Sequence, residues 1–458
     1  MPLLPLIPRA GGSDELQRKT RRLNTLLGEA GNGELLPLSS GQQRLWFLEQ
    51  FHPASPAYTV SRLLRVQGPL RRQALRSAVD GLVARHEMLR TRYATVGGRP
   101  VQLLPRRSPR HVHHLAHRTA ACPGEALGQV REAAGRGFDL SRGPLFEAVL
   151  TEIAAEDAFL LLRMHHSITD AWSSDLLVRD LLLLYERHAH GHRDALPETT
   201  AYRDFIAWEE AHAASSSVRD GLDYWRGALA APRGTPALLG EGRSESNAAD
   251  TVRLTLPPAT VRNLSAFCRR TRTTSFMVLL AVFLTMLRRH TTEHDLMVGT
   301  PVANRRSSVF HETVGYFSNT LALRTDLPDP VGFPEVLSRV RDTVVEALAH
   351  DDVPLADVVR AVNPERGPGG DPLSRVAFSL QPHREDIPRL TALDVRPTVL
   401  ETGTTAYDLV LDLAETGDSV LADFVYRTGL LRREQVRRMA AEFVSLLEDN
   451  VPPVCKIG

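Results

Sequence analysis

The chain has 458 residues, roughly three times the usual length of one domain, so two or three compact units with separate cores are expected. Hydrophobic residues are 43% and charged residues 24%, the balance of a globular protein; 55 Lys plus Arg against 54 Asp plus Glu leave a net charge of +1, which disfavours a nucleic-acid backbone as the main partner. Only Lys19 and Lys456 are lysines, so Schiff-base chemistry, pyridoxal attachment and a phosphate-loop lysine, which need a tunable amine that Arg cannot supply, are excluded from the body of the chain.

In chain order, Met1 to Ala10 is apolar but broken by Pro2, Pro5 and Pro8 and has no basic leader, so it is a poor export signal. Ser13 to Gly28 reads as a basic amphipathic helix, with Leu16, Leu23, Leu26 and Leu27 on one side; packing on its own domain or fraying is the simpler fate, and docking a partner the second. From Leu38 to Tyr185 the pattern is helix, strand, helix, strands, helix. Leu75, Ala78, Val79, Leu82, Val83 and Leu89 form a helical stripe. Phe146 to Ile153 and Ala158 to Met164 read as neighbouring strands joined by an acidic turn.

The polar stretch His188 to Thr200 marks a boundary. After it come a strand at Thr251 to Leu256, helices at Ala259 to Arg270 and Ser275 to Arg288, and a strand at Asp295 to Val302, so two similar halves are expected. Phe276 to Leu287, the longest apolar run, is too short to span a bilayer and reads as a buried core helix, so no membrane is expected as a partner. Pro, Gly and Ser mark loops at Ala231 to Ala249 and Asn363 to Pro372. Cys122, Cys268 and Cys455 lie far apart without paired spacing, which fits a reducing cytoplasm and neither a disulfide framework nor a zinc cluster.

The chemistry concentrates in Arg163-Met164-His165-His166-Ser167-Ile168-Thr169-Asp170-Ala171-Trp172-Ser173, between an apolar strand and a helix beginning near Ser174. A strand end holds the backbone still while the turn projects an imidazole into a crevice. Neighbouring residues on extended backbone point to opposite sides, so His165 and His166 have different tasks: one faces the crevice and the other packs beneath it. Asp170 is near enough to hold the loop's shape, directly or through an Arg. On these residues alone a purely structural pair is an equally good reading. No metal set is expected: the histidine side chains diverge without a third ligand, the cluster His111, His113, His114 and His117 sits among arginines, and His86-Glu87 and His311-Glu312 lack the second His of a zinc-protease helix.

Met164 to Ser173 resembles the His-His-x-x-x-Asp-Gly motif of condensation domains of nonribosomal peptide synthetases, relatives of chloramphenicol acetyltransferase. Other segments follow in that family's order. Leu38 to Leu48 (Leu-Ser-Ser-Gly-Gln-Gln-Arg-Leu-Trp-Phe-Leu) resembles its opening signature and Arg85 to Tyr93 its second. Tyr202 to Trp208 is similar to the fourth and Val314 to Thr320 to the fifth, while His350 to Leu355 and Asp371 to Arg375 match the last two more loosely. The similarity spans about residues 37–455. Ala171 replaces the motif glycine, which restricts φ unless an ordinary helix entry accepts it. Ser318 stands where an aliphatic residue is more usual. His165 argues against the cyclising subtype, and the opening signature against the epimerising one, so the flanks most resemble enzymes that join two L-configured units.

The resemblance implies an α/β fold of two chloramphenicol acetyltransferase-like subdomains in a V-shaped pseudo-dimer with a central tunnel. The expected division is an N-terminal extension (1–36), an N-terminal subdomain carrying the motif (37–187) and a C-terminal subdomain (188–458). It further implies that His166 is catalytic, that His165, Asp170, Ala171 and Arg305 support the motif, with Arg305 pairing Asp170, and that Trp172, Ser318 and Asn319 line the tunnel; Trp46, Trp172 and Trp208 read as core or interface residues in preference to surfaces on which a substrate stacks. No cofactor is bound by this chain, since phosphopantetheine arrives on a donor peptidyl carrier protein. The acceptor is a second carrier protein or a small free amine or alcohol.

The expected role is amide or ester formation in cytoplasmic antibiotic and natural-product biosynthesis. With no room for an adenylation domain, and with Gly11-Gly12-Ser13 a poor phosphopantetheine site, the enzyme is expected to be free-standing. Alternatives are a non-catalytic recruitment module of the same fold, which usually carries a damaged histidine motif, and a coenzyme A-dependent acyltransferase.

Overall fold

A computed structural model describes residues 33–51, 53–106, 114–191, 196–230, 246–329, 331–362, 373, 375–381, 387–401 and 403–453. The helix expected at Ser13 to Gly28, His111 and His113, and most of both expected loops lie outside the described residues. The chain forms two compact units. The first comprises residues up to Glu209 together with Ser307–Tyr316 and Ile387–Leu400; the second comprises Glu210–Arg306, Phe317–Asp386 and the chain from Glu401 onward.

The first unit begins with β1 (Glu34–Leu36), α1 (Ser40–Phe51), β2 (Thr59–Gln67), α2 (Arg72–Arg85), β3 (Arg92–Val96), β4 (Arg99–Leu104), β5 (Leu115–Thr119) and α3 (Pro123–Ala134). It continues through β6 (Phe146–Ala154), β7 (Asp157–His165) and α4 (Ala171–His190) to α5 (Tyr202–Ala213), within which the two units part. β7 lies antiparallel between β2 and β6, with Thr59 opposite His165 and Phe146 opposite Met164, and β5 joins β6 in parallel. A continuous apolar run at β7 follows from cover on both faces. Phe159 and Leu161 pack with Ala126, Val130 and Ala133 of α3, and Leu160, Leu162 and Met164 on the alternate face are equally buried. β1, β4 and β3 make a separate small sheet. A boundary at residue 187 would cut α4, which is continuous to His190 and closes on the left-handed Gly191.

The second unit contains α6 (Ser216–Ala228), β8 (Ala249–Leu256), α7 (Pro258–Thr271), α8 (Ser275–Arg289), β9 (Asp295–Val302), β10 (Asn319–Asp326), α9 (Phe333–Ala349), α10 (Leu355–Val362) and β11 (Val376–Gln381). The next strand, β12 (Asp394–Thr398), belongs to the first unit and extends its sheet beside β2, Asp394 opposite Gln67 and Thr398 opposite Leu63. β13 (Leu409–Thr416), β14 (Ser419–Arg427) and α11 (Arg433–Asn450) complete the second unit, whose sheet runs β10-β9-β11-β13-β14-β8.

The apolar run read as a core helix is α8: Met277 to Leu284, Met286 and Leu287 are buried against the sheet residues Phe378, Leu411 and Phe424. Among the described residues no single helix is long and apolar enough to cross a membrane. α7 and α8 reach that composition only as a pair bent by 103°, and most of α8 is core.

Candidate active site

β7 delivers the two histidines to a tight turn, His166–Ile168, and Asp170 then starts α4. His165 is fully buried. Its Nδ1 accepts the Ser167 N–H at 3.1 Å and lies 2.8 Å from the Ser167 hydroxyl. A backbone N–H can only donate, so the neutral His165 ring carries its proton on Nε2. His166, half-buried, takes the opposite tautomer. Its Nδ1 lies 2.8 Å from the Thr169 carbonyl oxygen, which can only accept, so the proton sits on Nδ1 and the Nε2 lone pair is left available. Among the described residues Nε2 of His166 takes no hydrogen-bond partner. Burial pushes the imidazole below its ordinary value, outweighing the Thr169 carbonyl and the Asp170 charge, so the neutral base is the form present near pH 7. The ring stands edge-on to Tyr316, centroids 5.0 Å apart.

Asp170 is fully buried and acts directly on the loop: its Oδ1 accepts the Ser173 N–H at 2.7 Å, capping α4. Ala171 is the first helical residue, exposed, and not among the residues with positive φ, so the ordinary helix entry accepts it in place of glycine.

The distant motifs converge on this turn. Gln42 on α1 donates from Nε2 to the Ser167 carbonyl at 3.0 Å and reaches the Tyr93 hydroxyl at 3.1 Å; that hydroxyl also donates to the Ser167 carbonyl at 3.0 Å. One backbone oxygen of the histidine turn is thus held by two segments far from it in sequence. Full burial raises the Tyr93 phenol far above its ordinary range, keeping it a neutral donor. Tyr202 on α5 lies 2.9 Å from the Ser39 hydroxyl and donates to the Tyr316 carbonyl. Ser173 donates to the Gly315 carbonyl at 2.8 Å and accepts its N–H at 3.1 Å. A Cβ at Gly315 would fall 2.0 Å from the Tyr202 ring, which is why glycine stands there.

Behind the site, α4 offers Asp180 to His86 at 2.9 Å, Arg85 at 2.8 Å and Arg179 at 2.8 Å. Burial opposes the Asp180 charge, yet His86 and Arg179 bring its pKa down to about 2. Burial also pushes His86 below its ordinary value.

Among the other expected site residues, Trp172 donates to the His311 carbonyl at 2.9 Å and its ring lies 5.3 Å from the His311 ring, within the first unit. Arg305, Ser318 and Asn319 belong to the second unit. Arg305 is buried with its guanidinium 3.9 Å from the Phe317 ring centroid, and Ser318 is half-buried. Asn319 donates to the Asp351 and Val353 carbonyls and accepts the Leu355 N–H at 2.9 Å, a clamp on the start of α10 rather than a free lining group. Trp208 packs on Phe205 and Phe310, and Trp46 is half-buried. His114 is buried on Phe146 and His117 pairs with Glu152. Sequence reading missed Glu49, and gave Tyr316 no role beyond its place in the segment Val314 to Thr320. The first gave one signal, an acid in the last turn of the helix, where the dipole disfavours it.

A family model described as "Condensation domain" matches residues 32–452. A component of the linear gramicidin synthase of Brevibacillus parabrevis is 36% identical over 432 residues, which is 90% of this chain and 8% of that protein. The chain thus spans less than a tenth of that relative. The X-domain from teicoplanin biosynthesis is similar with a TM-score of 0.81 at 24% identity, over 91% of this chain and 95% of that one. The first condensation domain of the CDA synthetase is similar with a TM-score of 0.78 at 23% identity, over 93% and 99%. Structural likeness at these identities shows the shared α/β, chloramphenicol acetyltransferase-like fold alone.

Proposed function

The chain belongs to the condensation-domain family, and from that premise we propose that it joins a carrier-tethered aminoacyl or peptidyl thioester to an amine, giving an amide, or to an alcohol, giving an ester. The observation that carries the reading is the fixed tautomer of His166, Nδ1–H against the Thr169 carbonyl with Nε2 left as acceptor. The nucleophile attacks the thioester carbonyl, Nε2 takes its proton, the C–N or C–O bond forms, the C–S bond breaks, and the proton passes to the departing thiolate. An amine needs mainly positioning, whereas an alcohol needs a true base, typically worth about 10²- to 10⁴-fold.

The phosphopantetheine arm is part of the substrate, carried by a donor peptidyl carrier protein. The acceptor is a second carrier protein or a small free molecule, and the setting is the cytoplasm.

A second reading is recruitment without catalysis, favoured by the likeness to the teicoplanin X-domain, which has been solved in complex with OxyB. The intact set His165, His166 and Asp170 supports catalysis instead. Donor-loaded carrier incubated with candidate acceptors and followed by intact-protein mass spectrometry separates the two. Product that disappears in His166→Ala supports acyl transfer; carrier or oxygenase binding with no turnover by the wild type sinks it in favour of recruitment.

A further inference from the structure

Glu49 has no part in the mechanism above, yet its placement is costly. It sits in the last turn of α1, where the negative end of the helix dipole disfavours an acid, and it is 6% exposed. One carboxyl oxygen, Oε1, accepts the Ala54 N–H. The other, Oε2, is buried and lies 3.8 Å from Nε2 of His165, itself buried. Neither atom has another hydrogen-bond partner among the described residues. Two orphaned polar atoms facing each other across that gap, one a carboxyl oxygen and the other the nitrogen that the Ser167 contacts leave protonated, are complementary.

We propose that Glu49 is a positioning residue for the acyl transfer: its carboxyl group keeps the His165 proton on Nε2, so that Nδ1 stays free to receive the Ser167 amide and hold the turn that presents His166. This rests on the catalytic reading of His166. The turn is fixed at two points, the Ser167 carbonyl gripped by Gln42 and Tyr93 and the Ser167 amide gripped by His165. A proton on Nδ1 of His165 would meet the Ser167 N–H head-on and release the second grip. α1 thereby supports the turn from both of its ends, through Gln42 and through Glu49.

Glu49→Gln tests this, because an amide has one acceptor oxygen and cannot serve both the Ala54 N–H and the His165 Nε2–H. With histidine-selective ¹⁵N labelling, the wild-type His165 is expected to show the Nε2–H tautomer. E49Q should move part of the population to Nδ1–H and lower kcat on the order of 10-fold, with KM for the donor-loaded carrier little changed, as expected for a misaimed base. A wild-type His165 protonated on Nδ1 overturns the proposal and needs no variant to fold. So does an E49Q protein whose kcat stays within about two-fold of wild type. If the wild type turns over no donor, the catalytic reading fails by itself, and the ring ¹⁵N shifts alone decide the role of Glu49: moved in E49Q they uphold the grip on His165, unmoved they overturn it.

Discussion

His166 is neutral near pH 7 because burial disfavours its charged form, and that gives the reaction a readable pH signature. A lowered imidazole pKa means that the base survives further into acid before protonation removes it. The acid limb of kcat/KM with an alcohol acceptor should therefore fall below the free-imidazole value of about 6.5, and a limb above that value would contradict the buried, Thr169-bound ring. His166→Ala should lower turnover by about 10²- to 10⁴-fold with an alcohol and by less with an amine, which attacks without full deprotonation. Ala171 makes the opposite kind of prediction. Its exposed methyl stands on the first helical residue, so Ala171→Gly should leave turnover within about two-fold and cost at most about 1 kcal/mol of stability by urea titration.

Among elements, α4 is anchored to the site by its cap, which separates positioning from chemistry. Asp170→Ala removes the acceptor of the Ser173 N–H and should cost about 0.5–2 kcal/mol, with turnover falling as the turn loosens. Asp170→Asn keeps an acceptor there and should keep both stability and most activity; a folded but inactive Asn variant would make the carboxylate part of the chemistry. The other end of the same packing is acid-sensitive. His86 is held neutral in the folded protein but binds a proton when unfolded, so stability falls as pH drops below about 6.5; Asp180, depressed to about 2, adds a further loss below about pH 4. Urea midpoints measured from pH 7 to 3.5 check both the sign and the window.

Elements defined by a local apolar pattern were legible in the sequence. The hairpin expected at Phe146 to Ile153 and Ala158 to Met164 runs Phe146–Ala154 and Asp157–His165, and the core helix expected from Ser275 to Arg288 ends one residue later, at Arg289. The helix expected near Ser174 starts instead at Ala171, because Asp170 supplies the cap. Within the site, the histidine pair and Asp170 were legible from composition and placement. Glu49 and the grip of Gln42 and Tyr93 on Ser167 were not, since those contacts join residues distant in sequence and leave no periodic trace.

The same limit governs the molecule as a whole, where the first unit is not a continuous stretch of sequence. Ser307–Tyr316 and Ile387–Leu400 belong to it. Phe310 packs on Phe205, Tyr316 stands against His166, Val314 is buried, and β12 covers the open edge of β2. No periodicity near residue 310 or 394 says that these segments serve strands and helices laid down much earlier in the chain. The consequence for dissection is specific. A fragment of residues 33–213 would lose the buried side chains of Phe310, Val314, Tyr316 and Leu393, each worth about 1.5–3 kcal/mol, along with an edge strand, a loss of the same order as the whole stability of a domain, about 5–15 kcal/mol. That fragment should retain helical far-ultraviolet dichroism but lack fixed near-ultraviolet dichroism and a cooperative urea transition. Supplying Ser307–Tyr316 and β12 in trans, as the remaining half of the chain, should restore both. If the fragment alone unfolds cooperatively with native near-ultraviolet dichroism, the returning segments are accessories, and the site's dependence on Tyr316 and Gly315 falls with them.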